Sequence, residues 1–301
     1  MRVVFLGNHT VGVTALSVLA DEAEVVGVVA HPADMEDGVC YQSVHAYAKS
    51  RGLPVIRGKA TEPCVADFIA KAMPDLIWIT DYRYLLSAHL LNIAPLGAIN
   101  LHPSLLPKYR GRAPINWAIL RGETELGLTA HFVDEGIDSG DIIEQERFEF
   151  SPSEYVGDAL SKLLPLYASV TRRILNNLHI GNVVRLKQDD AGATCYLARK
   201  PKDGLIDWNE SAVTILNLVR AVATPYPGAF TFLGETKIIV WKARLAKPWP
   251  GGVAGLVIGF EDCAPVVACG EGALVLSDIE FLDAGYCPIE VGNRLIMKGQ
   301  E

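Results

Sequence analysis

A chain of 301 residues, half of them hydrophobic and 21% charged, can bury a sizeable core and is too apolar to be a disordered segment. Its net charge of −8 argues against the broad basic face of a general nucleic-acid binder but leaves room for a local cationic pocket. No apolar run reaches the roughly 18 residues a membrane span needs, so neither a nucleic-acid nor a membrane partner is expected.

The opening "MRVVFLGNHTVG" reads as a first strand, because its apolar run is too short for a signal peptide and no small-residue cleavage site follows. With the cysteines expected to be reduced, the cytoplasm is the expected compartment. "RVVFL" (2–6), "EVVGVVAH" (24–31) and "DLIWIT" (75–80) are β-branched runs without alternation, as strands buried on both faces require. Helical patterns over 11–20, 43–51 and 63–73 separate them, and each spacer is long enough for a crossover. The expectation is an α/β, Rossmann-like, mostly parallel sheet. The turn "GNHTVG" lacks the G-x-G-x-x-G spacing and reads as a tight strand–helix connection. The six cysteines (Cys40, Cys64, Cys195, Cys263, Cys269, Cys287) form no C-x-x-C pair, so buried reduced thiols are expected, with no metal and no disulfide framework.

"AINLH" (98–102) reads as the next strand, followed by a proline-rich loop and a helix opening at Pro114. Strands over 126–134 and 141–150 flank a glycine-bounded loop, and a long helix is expected from Ser153, with Glu154 suiting its first turn. The texture then turns polar and glycine-punctuated. Residues 1–188 are accordingly expected as a catalytic domain and 189–204 as a linker. Residues 205–301 hold one helix (211–223) and several short strands, the pattern of a small OB-like β-barrel.

Side chains alternate along a strand, so Asn100 and His102 share a face. At the carboxyl end of a parallel strand that face opens on the ligand crevice. Spacing alone leaves two readings, paired donors aimed at one small group or polar residues capping the next loop. Lys108, Arg110 and Arg112 then place positive charge beside the pair, suiting a phosphate or carboxylate ligand as well as a solvated basic loop. In "DEGIDSGD" (134–141), Asp138 is bracketed by Gly136 and Gly140, which favours it over Asp134 and Asp141 as a carboxylate reaching a histidine. A calcium loop would need a ladder of acidic positions that is not there. The chain has neither a G-x-S-x-G elbow nor an H-E-x-x-H motif. An amide, an imidazole and a carboxylate without such a nucleophile suit a noncovalent transfer, with Asn100 stabilising an oxyanion and His102 handling the proton.

The stretch "NLHPSLLPKYRGRAPINWAILRGETELGLTAHFVDEGIDSGDII" strongly resembles the signature of the folate-dependent formyltransferases, N-x-H followed by S-L-L-P-x-[YW]-R-G and a later D-x-G-D. The resemblance implies that Asn100, His102 and Asp138 are the catalytic set. It implies N10-formyltetrahydrofolate as co-substrate, with Tyr82, Arg83, Tyr84 and Leu85 lining the pteridine pocket. "YQSVHAYAKSRGLPV", "DYRYLL" and "RAVATPYPGAFTFLG" look closest to the formyltransferase domain of the UDP-4-amino-4-deoxy-L-arabinose-modifying enzyme. The implied acceptor is therefore the amine of a nucleotide-linked 4-amino sugar, this one or a 4-amino-4,6-dideoxyhexose, in lipopolysaccharide biosynthesis. Lys108, Arg110 and Arg112 would meet its phosphates and Tyr226 its base. Methionyl-tRNA formyltransferase is the nearest rival. Where tRNA enzymes carry a basic insertion, this chain reads "HPADMEDGVC", short and acidic. The end at Glu301 leads us to expect a free-standing transferase without a decarboxylase domain, and exposed barrel strands are compatible with a homodimer. Two other readings, a sensor without turnover and a hydrolase of the formyl donor, are separated from transfer by an assay with and without an acceptor.

Overall fold

A computed structural model describes residues 1–33, 41–247, 252–282 and 289–296. The acidic segment weighed above against a tRNA-binding insertion lies mostly outside them, as do Cys40 and Cys287. The chain forms two compact units. The first contains Met1–Arg112, Glu125–Phe148 and Leu160–Tyr196, and the second Ala113–Thr124, Glu149–Ala159 and Leu197–Glu301. The block 1–188 is thus interleaved, since two internal segments cluster with the C-terminal residues.

The first unit is built on a seven-stranded sheet. In chain order its strands are β1 (Arg2–Gly7), β2 (Glu24–Ala30), β3 (Val55–Arg57), β4 (Leu76–Thr80), β5 (Ala98–His102), β7 (Glu125–Phe132) and β8 (Ile142–Glu149), arranged β3-β2-β1-β4-β5-β7-β8. The strands from β3 to β5 pair in parallel, while β7 runs antiparallel to β5. Crossovers α1 (His9–Glu22), α2 (Val44–Ser50), α3 (Pro63–Ala72) and the short α4 (Ala88–Leu91) cover the parallel part. The continuous apolar runs behave as expected of strands covered on both faces, with all five residues of β4 buried. Val4, Leu6, Ile77 and Ile79 pack with Val65 and Ile69 of α3. Truncating one such aliphatic side chain to Ala costs about 2–5 kcal/mol. Strand order reverses between β1 and β4, so the turns leaving those strands and β5 flank the crevice where open α/β sheets bind ligands.

Three expectations are corrected. The strand β3, only three residues long, carries no periodic signal and was absent from the sequence reading. The long helix α6 (Val156–His179) starts later than Ser153. Glu154 instead closes a turn by accepting the Ser151 N–H (2.6 Å), and Asp158 caps the helix by accepting the Tyr155 N–H (2.8 Å). Of the described cysteines only Cys269 is buried, its thiol pushed up to about 12 by that burial. Cys64, Cys195 and Cys263 are exposed, sitting in the first turn of α3, in the two-residue strand β9 (Cys195–Tyr196) and in a hairpin turn.

The second unit contains a five-stranded antiparallel sheet, β10 (Ala229–Leu233), β11 (Thr236–Leu245), β12 (Val257–Glu261), β13 (Ala264–Ala268) and β14 (Ala273–Leu282), in the order β10-β11-β14-β13-β12. Ile296 bridges Phe232 of β10, and Arg294 bridges Leu256 beside β12, so one short segment reaches both outer strands, as an OB-like barrel requires. In the same unit α5 (Pro114–Leu120) packs on α7 (Ala212–Val222), with the Asn116 amide donating to the Ala221 carbonyl (2.8 Å).

Candidate active site

The loop after β5 is held by hydrogen bonds as much as by its prolines. Thr129 of β7 donates to the Ser104 carbonyl (2.6 Å) and accepts from the Leu106 N–H (3.2 Å). Gln145 of β8 donates to the Leu106 carbonyl (2.7 Å), and the Ser104 hydroxyl donates to that of Lys108 (2.8 Å). The strand β6 (Arg110–Gly111) pairs with β9, and Tyr109 stacks on Tyr196.

This frame brings Asn100, His102 and Asp138 together. The Asp138 carboxylate lies 3.5 Å from His102 Nδ1, accepts from Asn100 Nδ2 (3.3 Å) and accepts from the Gly111 N–H (2.9 Å). Gly111 has φ +93, and a Cβ there would run into the Tyr196 carbonyl, so only glycine brings this N–H so close. Asp138 itself has φ 49 and is not glycine, a strained position fixed from outside. Gln188 does the fixing: its buried amide donates to the carbonyls of Asp138 and Gly140, both at 2.8 Å.

The protonation states follow from these contacts. His102 Nε2 is 2.8 Å from the Tyr109 carbonyl, which can only accept, so Nε2 carries the proton and Nδ1 turns a lone pair toward Asp138. Burial lowers the His102 pKa against the opposing pull of Asp138, so the ring is neutral at pH 7. Burial would raise the Asp138 carboxyl, but the charge that His102 and then His131 bring when protonated, with the Gly111 N–H, outweighs it and holds the carboxyl well below the usual carboxylate range.

His131 and Gln188 were missed in the sequence. His131 is 1% exposed and sits directly across from Asn100 in the β5–β7 register. The alternation of β7 could have flagged it, since "TAHF" sets a histidine among residues buried in a strand. Gln188 carried no signal, because it falls in a polar stretch without periodicity.

The pteridine-loop candidates lie at the end of β4. The Tyr82 hydroxyl donates to the Gly58 carbonyl (2.9 Å), and burial pushes its pKa up. The Arg83 N–H donates to His31 Nε2 (3.0 Å), and the rings of Tyr82 and Tyr84 both lie against His31. Arg83 and Leu85 are exposed. Burial and Arg83 lower the His31 pKa to about 4. His9 pairs with Asp81 (2.8 Å), tying the start of α1 to this loop.

The expected phosphate ligands separate. Arg110 is engaged internally, donating to Gln188 (3.1 and 2.8 Å) and Asp190 (2.8 Å). Lys108 and Arg112 are exposed. Desolvation lowers the Arg112 pKa, and the charge of Arg83 adds to it. Tyr226 belongs to the second unit. Among the described residues no group of three or more His, Cys, Asp or Glu could hold a metal ion, and no helix is long and apolar enough to cross a membrane.

A buried imidazole and a carboxylate thus converge at the carboxyl end of the parallel part of the sheet, where open α/β enzymes hold their ligands. The chain belongs to the formyl transferase family. The family's formyl transferase model matches residues 1–166, and the model of its C-terminal domain matches residues 199–290. Among solved structures the chain is similar to WlaRD, a sugar 3N-formyl transferase studied with dTDP and 5-N-formyl-THF (TM-score 0.71, 17% identity, 94% of this chain and 98% of that one). It is also similar to an N-formyltransferase of Helicobacter canadensis in complex with folinic acid and dTDP-3-aminofucose (TM-score 0.67, 17% identity, 92% and 98%). A methionyl-tRNA formyltransferase of Clostridium thermocellum matches at TM-score 0.56 and 16% identity, over 82% and 94%. At these identities the likeness is one of fold.

Proposed function

We propose that this protein transfers the formyl group of N10-formyltetrahydrofolate to the primary amine of a nucleotide-linked amino sugar. UDP-4-amino-4-deoxy-L-arabinose and a 4-amino-4,6-dideoxyhexose are the leading acceptors. The observation that carries the reading is the convergence of Asn100 and His102 on Asp138, at 3.3 and 3.5 Å. The amine nitrogen attacks the formyl carbon, forming a tetrahedral intermediate. The neutral His102 Nδ1 takes a proton from that nitrogen, and Asp138 stabilises the imidazolium so formed. When the bond from the formyl carbon to N10 breaks, the same proton passes to N10, releasing tetrahydrofolate and the formamide. Removing such a group typically costs two or more orders of magnitude in rate, about 3 kcal/mol or more.

Tyr82, Arg83, Tyr84 and Leu85 are proposed to line the pteridine site, where Arg83 and Leu85 are exposed. The exposed Lys108 and Arg112 suit the acceptor's phosphates. The first unit would then carry the chemistry, and the OB-like unit substrate binding or a homodimer contact. The sugar-modifying neighbours support the acceptor class through fold and bound nucleotide sugar.

The test is a formylation screen of nucleotide-linked 3- and 4-amino sugars with N10-formyltetrahydrofolate, with initiator methionyl-tRNA as a competing acceptor. His102→Ala and Asp138→Ala should abolish turnover in a folded chain; full activity in His102→Ala removes the mechanism. Formate release at the same rate without any acceptor would mark a hydrolase.

A further inference from the structure

The Asn100 side chain is fixed by two neighbours on its Nδ2. His131 Nδ1 lies 2.8 Å from the Phe132 carbonyl, and a carbonyl only accepts, so Nδ1 holds the proton. The opposite nitrogen, Nε2, then offers a lone pair 3.2 Å from Asn100 Nδ2. The second Nδ2 hydrogen goes to Asp138 Oδ1 (3.3 Å). His131 Nε2 also lies 3.5 Å from Asp138 Oδ1, and while that nitrogen is bare, rotating the amide by half a turn would set its oxygen against two acceptors, so the neutral ring admits one orientation. Both Nδ2 hydrogens are thereby used inside the protein. Asn100 Oδ1 has no hydrogen-bond partner among the described residues, on a side chain that is partly exposed while its strand neighbours are buried.

We propose that His131 is a positioning residue that holds the Asn100 amide with nitrogen inward and oxygen outward, so that Asn100 accepts a hydrogen bond from the attacking amine. This rests on the transfer reading above and reverses the part of Asn100 drawn from the sequence, in which the amide donated to the oxyanion. An outward acceptor aims the amine's lone pair at the formyl carbon by fixing one of its N–H bonds. It also discriminates: an acceptor with a hydroxyl can satisfy Oδ1 but attacks poorly, and a tertiary amine has no hydrogen to give. Charge developing on the formyl oxygen is then met by the His102 imidazolium formed during attack.

Two measurements test this on the full-length chain. The first is nitrogen-15 NMR with labelled histidine and asparagine, which needs no substrate. It should show His131 protonated at Nδ1 and bare at Nε2, with both Asn100 amide protons protected from exchange. Protonation of Nε2, or freely exchanging amide protons, overturns the proposal. The second compares His131→Leu with His131→Gln, whose Oε1 can stand in for the Nε2 acceptor. With UDP-4-amino-4-deoxy-L-arabinose as acceptor, kcat of the Leu variant should fall about 10–100-fold, the scale of a misaligned reacting group, while KM for the formyl donor stays put. The Gln variant should recover most of that loss. Equal losses in both variants, or none, overturn it. If the Leu variant does not fold, the NMR result and the Gln variant decide. If the wild-type chain formylates no amino sugar, the acceptor reading fails while the NMR still decides the orientation.

Discussion

His31 gives the stability of this protein a pH dependence between about 4 and 6.5. Its Nε2 accepts the Arg83 N–H, a bond that only the neutral ring can make. Burial and Arg83 lower its pKa to about 4, against about 6.5 in an unfolded chain. Between these values the unfolded chain binds a proton that the native state refuses, so stability falls as pH drops below 6.5 and the loss is complete near 4. The full shift amounts to about 3 kcal/mol. Urea unfolding from pH 7 to pH 4 should show that decline, and His31→Gln should lose less over the same range. Identical slopes in the two proteins would dismiss the argument. The residue lay in plain view at the end of an expected strand, but its role arises from contact with a loop some 50 residues later, which no local pattern encodes.

Among the elements, the segment after α6 has the largest consequence for the site. It was read as the approach to a linker, and it returns Gln188 to the loop carrying Asp138. Gln188→Glu keeps an acceptor for Arg110 and removes both donors to the carbonyls of Asp138 and Gly140. Two buried carbonyls left without partners should cost about 2–4 kcal/mol, and kcat should fall more than KM rises because Asp138 loses its anchor. A Glu variant with wild-type melting temperature and kcat would show that the loop holds itself. The contrast with Asn100, His102 and Asp138 is instructive. Strand alternation put two polar residues on one face and two glycines singled out one aspartate, but spacing left a loop-capping reading open, and it was the family resemblance that joined the three. The helices at Ser43 and Ser211 were legible for a similar reason, since each serine accepts an N–H three residues on. His131 and Gln188 were not, because their roles depend on an antiparallel register and a chain return, both set by tertiary packing. The start of α6 was misread by three residues because Ser153 and Glu154 are good cap residues in the wrong turn.

Over the whole molecule, charge separates the two acceptor classes that share this fold. Acidic residues number 35 against 27 lysines and arginines. A protein gripping a polyanion through 6–10 phosphate contacts loses about 10³–10⁵ in affinity between 50 and 200 mM salt, and it needs a basic surface to make those contacts. A nucleotide diphosphate asks for only a few local cations, and the first unit exposes Lys108 and Arg112. Formylation of a nucleotide-linked amino sugar should therefore persist across that salt range, with KM for the acceptor rising less than about tenfold, because a short ligand releases few counterions. Initiator methionyl-tRNA, supplied at the same concentration, should neither be formylated nor inhibit. Arg112→Ala should raise KM for the sugar and leave KM for the formyl donor unchanged, placing the cation on the acceptor side. Formylated methionyl-tRNA at a rate matching the best sugar, with a steep salt dependence, would reverse the assignment and move the acceptor to the polyanionic class.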